Sequence, residues 1–372
     1  MVPEKIVRSL AVIVICSLLL TVGCASLVEE TVEPKIVVEE EKPTVVEEEQ
    51  PKVVEEEKPK VVEEEKPKVV EKEKPAVELA LKFTPQDSTT YKFTTEAHRS
   101  IKWEGPVSNE PAFRGGNTSS RIEMTFTQQI QSTDEKGNAV AKITIESLRY
   151  LSIIRDNPAL DFDSTREKDQ NNPLAKLIGQ SYTIEITPAG RVSKIIDVNQ
   201  AQEAVRGSSS ANKTALALLS ADAIKNRHTI SAIPDTDKNR LRTGENWSRI
   251  KTFSFDLMGS KSYERIYTLK DVTDTDNLRF AVVEMKANPT TEMAEEMHKE
   301  KTIVDLSRMF ENTETYTGRL NLNLTDGKIE KFQEKLQSEW VAVEPAVGQK
   351  ENKEPAVLKM TAARFHSLEQ ID

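Results

Sequence analysis

From residue 85 onward the apolar side chains fall on every second position, and the runs are broken by short turn-forming clusters. Ile122, Met124 and Phe126 alternate with Glu123, Thr125 and Thr127, the stretch Asp134-Glu135-Lys136-Gly137-Asn138 turns the chain, and Val140 to Ile145 resumes the pattern. A period of two puts alternate side chains on opposite faces of a strand, so each such pair of runs reads as a β-hairpin. A second pair is Tyr182, Ile184 and Ile186 followed by Thr187-Pro188-Ala189-Gly190 and Val192 to Val198. Two more follow: Arg265 to Leu269 with Phe280 to Met285 around the Asp-rich turn at 274–277, and Leu320, Leu322 and Leu324 with Ile329 to Trp340 around Thr325-Asp326-Gly327. Arg121-Ile122 matches Arg265-Ile266 and Gly179 matches Gly318 at similar offsets, which suggests two similar halves.

Helical spacing is confined to a few stretches. Asn199 to Val205 opens with a capping-box pattern (Asn199, Gln202), Asn212 to Lys225 places Leu216, Leu219 and Ala223 on one face, and Pro173 to Gly179 suits a short helical turn. Glu292 to Phe310 reads as a further helix or, around Thr302-Ile303-Val304, as strand. The expected class is α+β: mainly antiparallel sheet built from hairpins, with a few covering helices. The halves are expected at residues 76–235 and 236–372.

Ahead of this domain the sequence obeys a different rule. Prolines stand at 34, 43, 51, 59, 67 and 75 within repeats of K-P-K-V-V-E-E-E. A proline every eighth residue removes a backbone donor and keeps its predecessor out of the α region, so no helix or central strand runs through. Residues 24–75 carry 17 Glu and 9 Lys, so most of the chain's net charge of −10 sits here. The expectation is a disordered, extended repeat linker reaching on the order of 150 Å at about 3.1 Å per residue. It is similar to the Glu-Pro/Lys-Pro-rich stretch of TonB-like proteins, which implies reach across envelope layers. With no basic face on either part, nucleic acid is not an expected partner.

The first 23 residues carry Lys5 and Arg8 and then the uncharged run Ser9 to Leu20, too short to span a bilayer as a helix. Leu20-Thr21-Val22-Gly23-Cys24 follows at once. This arrangement resembles the lipobox signal peptides of bacterial lipoproteins, with Thr21 where Leu is commonest. The resemblance implies cleavage before Cys24, acylation of Cys24 with diacylglyceryl and palmitate chains, and membrane attachment through the lipidated N-terminus. Ala25 in place of Asp implies the outer membrane. Cys16 would leave with the signal, so the expected mature domain has no disulfide. The domain, on its strand order and turns such as Thr187-Pro188-Ala189-Gly190-Arg191-Val192, resembles an uncharacterised family of exported bacterial β-rich domains, a resemblance that implies no activity.

No nucleophile elbow, P-loop or dinucleotide fingerprint occurs, and no cofactor is expected. Asp235-Thr236-Asp237-Lys238-Asn239 begins like a calcium loop, but Arg240 stands where glycine is needed and Asn246 where a closing Glu belongs, so it reads as a surface loop. Glu295 and His298 are a lone pair; four scattered histidines make no metal site. Gly207-Ser208-Ser209-Ser210 reads as a break between helices. The reading is therefore a lipid-anchored envelope protein presenting a non-catalytic β-rich domain whose partner is an apolar ligand, an envelope protein or the cell wall. The alternative is an envelope-polymer hydrolase using the paired carboxylates Asp161 and Asp163.

Overall fold

The computed structural model describes residues 75–105, 115–255, 259–292, 311–343 and 356–371. Cys24, the repeats, and Glu295 and His298 with the rest of 293–310 lie outside the described residues.

The alternating runs form one antiparallel sheet. Its first meander comprises β2 (Ser88–Glu104), β3 (Gly116–Thr133), β4 (Ala139–Ile154), β6 (Ser181–Ile186) and β7 (Val192–Asp197), with β5 (Asn157–Asp163) folded back on the end of β4. The second comprises β9 (Asn246–Ser254), β10 (Ser260–Thr275), β11 (Leu278–Thr290), β12 (Glu311–Asn323), β13 (Lys328–Val343) and β14 (Val357–Gln370). The strand order is β7-β6-β4-β3-β2-β14-β13-β12-β11-β10-β9. The chain thus builds outward from β2 to one edge, crosses to the opposite edge, and works inward until β14 pairs with β2 from Val357↔Glu104 to Gln370↔Tyr91. All four hairpins read from the sequence are present.

Three helices occupy the crossing: α1 (Asn199–Ala204), α2 (Ser210–Leu218) and α3 (Ala221–His228). The run expected as one helix from Asn212 to Lys225 is broken at Leu219-Ser220, because the Ser220 hydroxyl accepts the Ala223 N–H and caps a new helix. The capping box at Asn199 does not form. Asp197 accepts the Asn199 N–H instead, and Gln202 donates across to the Leu219 carbonyl. Ser209 caps α2, so the glycine-serine run does separate two helices. Pro173–Leu177 is a short 3-10 turn.

The sheet is rolled. Directly paired residues of antiparallel strands share a face, and the apolar members point inward: Tyr91, Phe93, Met124, Phe126, Ile143, Leu148 and Tyr182 in the first meander, Tyr263, Leu269, Val283, Leu320, Phe332 and Leu336 in the second, all buried. The second meander curls far enough that its edge strand meets the inner face of β14. Arg364 donates to the Ser254 carbonyl at 2.7 Å and lies over the Phe253 and Phe255 rings, while Phe255 meets Trp340 edge-on.

One pole of the roll is sealed by the segment that leads in from the repeats. Val77–Glu78 (β1) pairs with Arg240–Leu241 (β8), Leu79 N–H reaches the Asn239 carbonyl, Leu81 N–H the Pro188 carbonyl and Lys82 N–H the Gly327 carbonyl. Leu79 and Leu81 are buried in the core. The β12–β13 turn lies so close that a Cβ at Gly327, where φ is +65°, would sit 2.3 Å from the Lys82 nitrogen, so only glycine fits. The turns β3–β4, β6–β7, β10–β11 and β12–β13 all lie at this entry pole, and β2, β13 and β14 run from it to a far pole.

The sequence matches proposed between the halves do not share environments. Arg121 on β3 is exposed, whereas Arg265 on β10 is fully buried. Gly179 takes φ +78° in a turn, whereas Gly318 lies within β12.

Candidate functional site

The densest chemistry lies inside the second meander, around Glu334. Its inward-facing row on β13 reads Phe332, Glu334, Leu336, Ser338, Trp340, so a carboxylate stands at an apolar position. Oε1 accepts from the Ser231 hydroxyl at 2.9 Å, Arg265 Nη1 at 3.1 Å and the Tyr267 hydroxyl at 3.3 Å. Oε2 accepts from the Tyr316 hydroxyl at 2.8 Å and Lys251 Nζ at 3.1 Å. Gly318, directly opposite on β12, leaves the room; a Cβ there would press on Glu334 Cγ and the Gln333 carbonyl.

Burial alone would push the Glu334 carboxyl up, but Lys251, Arg265, His366 and the Tyr316 hydroxyl outweigh it and hold it well below the usual carboxylate range. Tyr316 is pushed well above the ordinary phenol by burial and by the Glu334 charge beside it. An ionised acceptor with five donors is neither a base nor an acid near neutrality. It ties together β9, β10, β12 and β13, and through Ser231 it fixes the segment between α3 and β8. Toward the far pole, Lys261 on β10 pairs with Glu314 on β12, and burial lowers the lysine's pKa.

A second buried polar group holds α3 in the first meander. The Tyr182 hydroxyl lies 2.7 Å from His228 Nε2 and accepts from Arg227 Nη1 at 2.8 Å; Arg227 also donates to the Leu218 carbonyl. The tautomer of the neutral imidazole sets which of Tyr182 and His228 donates in their hydrogen bond. Burial, and then Arg227, hold His228 well below the ordinary histidine value.

Asp161 and Asp163 both lie on β5. Asp161 is exposed and ion-paired with Arg166 at 2.9 Å, and this contact lowers its pKa; Asp163 accepts the Thr165 N–H and hydroxyl, which lower its pKa too. Neither has the raised value a general acid needs. Asp235 lies between Arg191 at 2.7 Å and Arg249 at 3.5 Å, and Thr236–Lys238 forms a 3-10 turn, so the calcium-like sequence is spent on arginines. Among the described residues no three His, Cys, Asp or Glu side chains converge as metal ligands.

At the far pole the inner face ends in an apolar cluster. The register rows Ile101-Met360-Trp340 and Trp103-Leu358-Ala342 stack next to Phe255. It brings together two of the three tryptophans. Trp247 instead stacks on Tyr267.

No family model matches the chain, and no curated protein matches it. Among solved structures, one described as "Lipid-protein interactions in lipovitellin" aligns over 78% of this chain at 10% identity and a TM-score of 0.36. The alignment spans 26% of that protein, and at this score it carries no argument about function.

Proposed function

We propose that the protein is a lipid-anchored component of a bacterial envelope, tethered through Cys24 at the outer membrane, that holds a non-catalytic binding domain away from the bilayer on an acidic spacer. The observation that supports this reading best is polarity. The chain coming from the repeats is stitched across one pole of the roll by Leu79, Leu81 and Lys82, and the far pole lies at the opposite ends of β2, β13 and β14. Charged groups inside the roll are held by ion pairs and hydrogen bonds, as at Glu334 and Arg227, which suits a rigid support for a binding surface. Two acyl chains or more would make the attachment effectively permanent. In the same reading the two meanders are the halves expected from the hairpin order, joined where β14 meets β2.

The experiment is Cys24→Ser in cells, followed by fractionation. The wild-type chain is expected in the membrane pellet at its processed mass and labelled by palmitate, and the variant as a larger, unlabelled precursor that keeps its signal segment. A variant that stays in the pellet at unchanged mass would refute the anchor.

A further inference from the structure

The outer face of the sheet is furrowed along the β2–β14 join, where the two meanders meet. Outward side chains there are small and hydroxylated: Thr94 opposite Ser367 and Ser100 opposite Thr361. Thr94, Ser100 and Ser367 are buried although they point away from the core. Salt-bridged long side chains flank them: Arg121 with Glu96, Lys92 with Glu123, Lys331 with Glu369, and Lys359 with Glu104.

Toward the far pole this furrow opens into a groove of about 280 Å³ lined by His98, Ser100, Lys102, Asn117, Glu339 and Thr361, among others. Four of these residues stand in one register row across four strands, Glu339–Thr361–Ser100–Asn117. At about 4.8 Å per strand the row is about 14 Å long. The Ser100 hydroxyl is the informative atom. Ser100 is only 6% exposed, lines the groove, and has no hydrogen-bond partner among the described residues. A buried hydroxyl left unmatched costs about 1–3 kcal/mol, which a ligand that met it would recover.

We infer that this groove binds a neutral polyhydroxylated chain, a glycan strand lying across β13, β14, β2 and β3. The floor supplies the Ser100 and Thr361 hydroxyls, which both donate and accept, and the Asn117 amide oxygen as an acceptor, its nitrogen donating to Asp156 at 2.7 Å; this is a lining that suits sugar hydroxyls. Lysines 102 and 359 balance Glu104 and Glu339, so the lining selects neither an anion nor a cation. The spacing of the row is close to the repeat of an extended glycan. With no aromatic platform in the lining, single sites bind weakly and a repeating polymer gains by engaging many tethered copies. This deepens the binding reading above but does not depend on the lipid anchor.

The test is calorimetric titration of the full-length chain in detergent with two probes, the tetramer of N-acetylglucosamine and cellotetraose. Saturable millimolar binding of at least one is expected, with loss of about tenfold or more in Thr361→Val, an isosteric change on the outer face, and in Ser100→Ala. Amide exchange should slow in β2 and β14 on addition of the sugar, which a folding defect would not mimic. Absence of saturable binding to both probes, or binding unchanged in both variants, would overturn the inference, as would displacement of the sugar from this groove by an unglycosylated envelope protein. None of these outcomes bears on whether Cys24→Ser is processed and acylated.

Discussion

Glu334 shows how much one residue can demand of its surroundings. Five donors from four separate segments converge on its two oxygens, and all of them lose the charge they bind if it is withdrawn. Glu334→Gln takes the countercharge from the buried Arg265 and the half-buried Lys251, and breaking one partner of a buried ion pair costs about 3–5 kcal/mol. Urea unfolding should show that loss, and Glu334→Leu combined with Arg265→Met should lose less than Glu334→Leu alone. A double variant whose loss equals the sum of the two single losses would mean the pair is not coupled. The signal for this site was present in the sequence as a matter of parity. Glu334 falls in step with Phe332, Leu336 and Trp340, and Arg265 in step with Tyr263, Tyr267 and Leu269, so two opposite charges occupied core positions. What the sequence could not convey is that strands β10 and β13, separated by β11 and β12, roll until those charges meet.

At the level of elements, α3 is held where an acid-sensitive contact secures it. His228 is buried as the neutral ring, and the groups facing it are Tyr182 from β6, Phe126 from β3 and its neighbour Arg227, with no carboxylate among these contacts. A histidine whose folded pKa is depressed contributes stability that is fully present above the unfolded value of about 6.5 and is lost as pH falls toward the folded value. The melting temperature should therefore drop below pH 6.5, and His228→Gln should flatten that drop while lowering stability at pH 7.5. A wild-type melting curve unchanged between pH 7.5 and 5 would show that the imidazole does not titrate against folding. The hairpins were legible because their turns carry Gly, Asp and Asn at positions that need positive φ, as at Gly137 and Asp276-Asn277. The β4–β5 hairpin was not, since Arg155-Asp156 makes the same kind of turn without glycine, with φ of 50° and 65°. The split between α2 and α3 was hidden for a related reason: Ser220 sits in a helical pattern, and only its bond to Ala223 reveals it as a cap.

For the whole molecule, the decisive pairing is the one between β2 and β14, which no local pattern announces because its partners lie at opposite ends of the domain. The division at residues 235 and 236 separates the meanders, but β14 is hydrogen-bonded along its length to β13 on one side and β2 on the other. Leu79 and Lys82, ahead of the first meander, also bond to Asn239 and Gly327 beyond the helices. Unfolding should consequently be a single transition, with calorimetric and van't Hoff enthalpies in agreement. Two resolved transitions would mark the meanders as independent units.

That central strand is also the last of them to be synthesised. A polypeptide delivered N-terminus first, whether from a ribosome or through a membrane pore, presents β2 with an exposed backbone edge until nearly all of the remaining domain has arrived, and pairing so distant in sequence is slow. The waiting edge is where a chaperone would have its work, and the acidic leader, already delivered and self-repelling, would keep neighbouring unfinished copies apart in the interval.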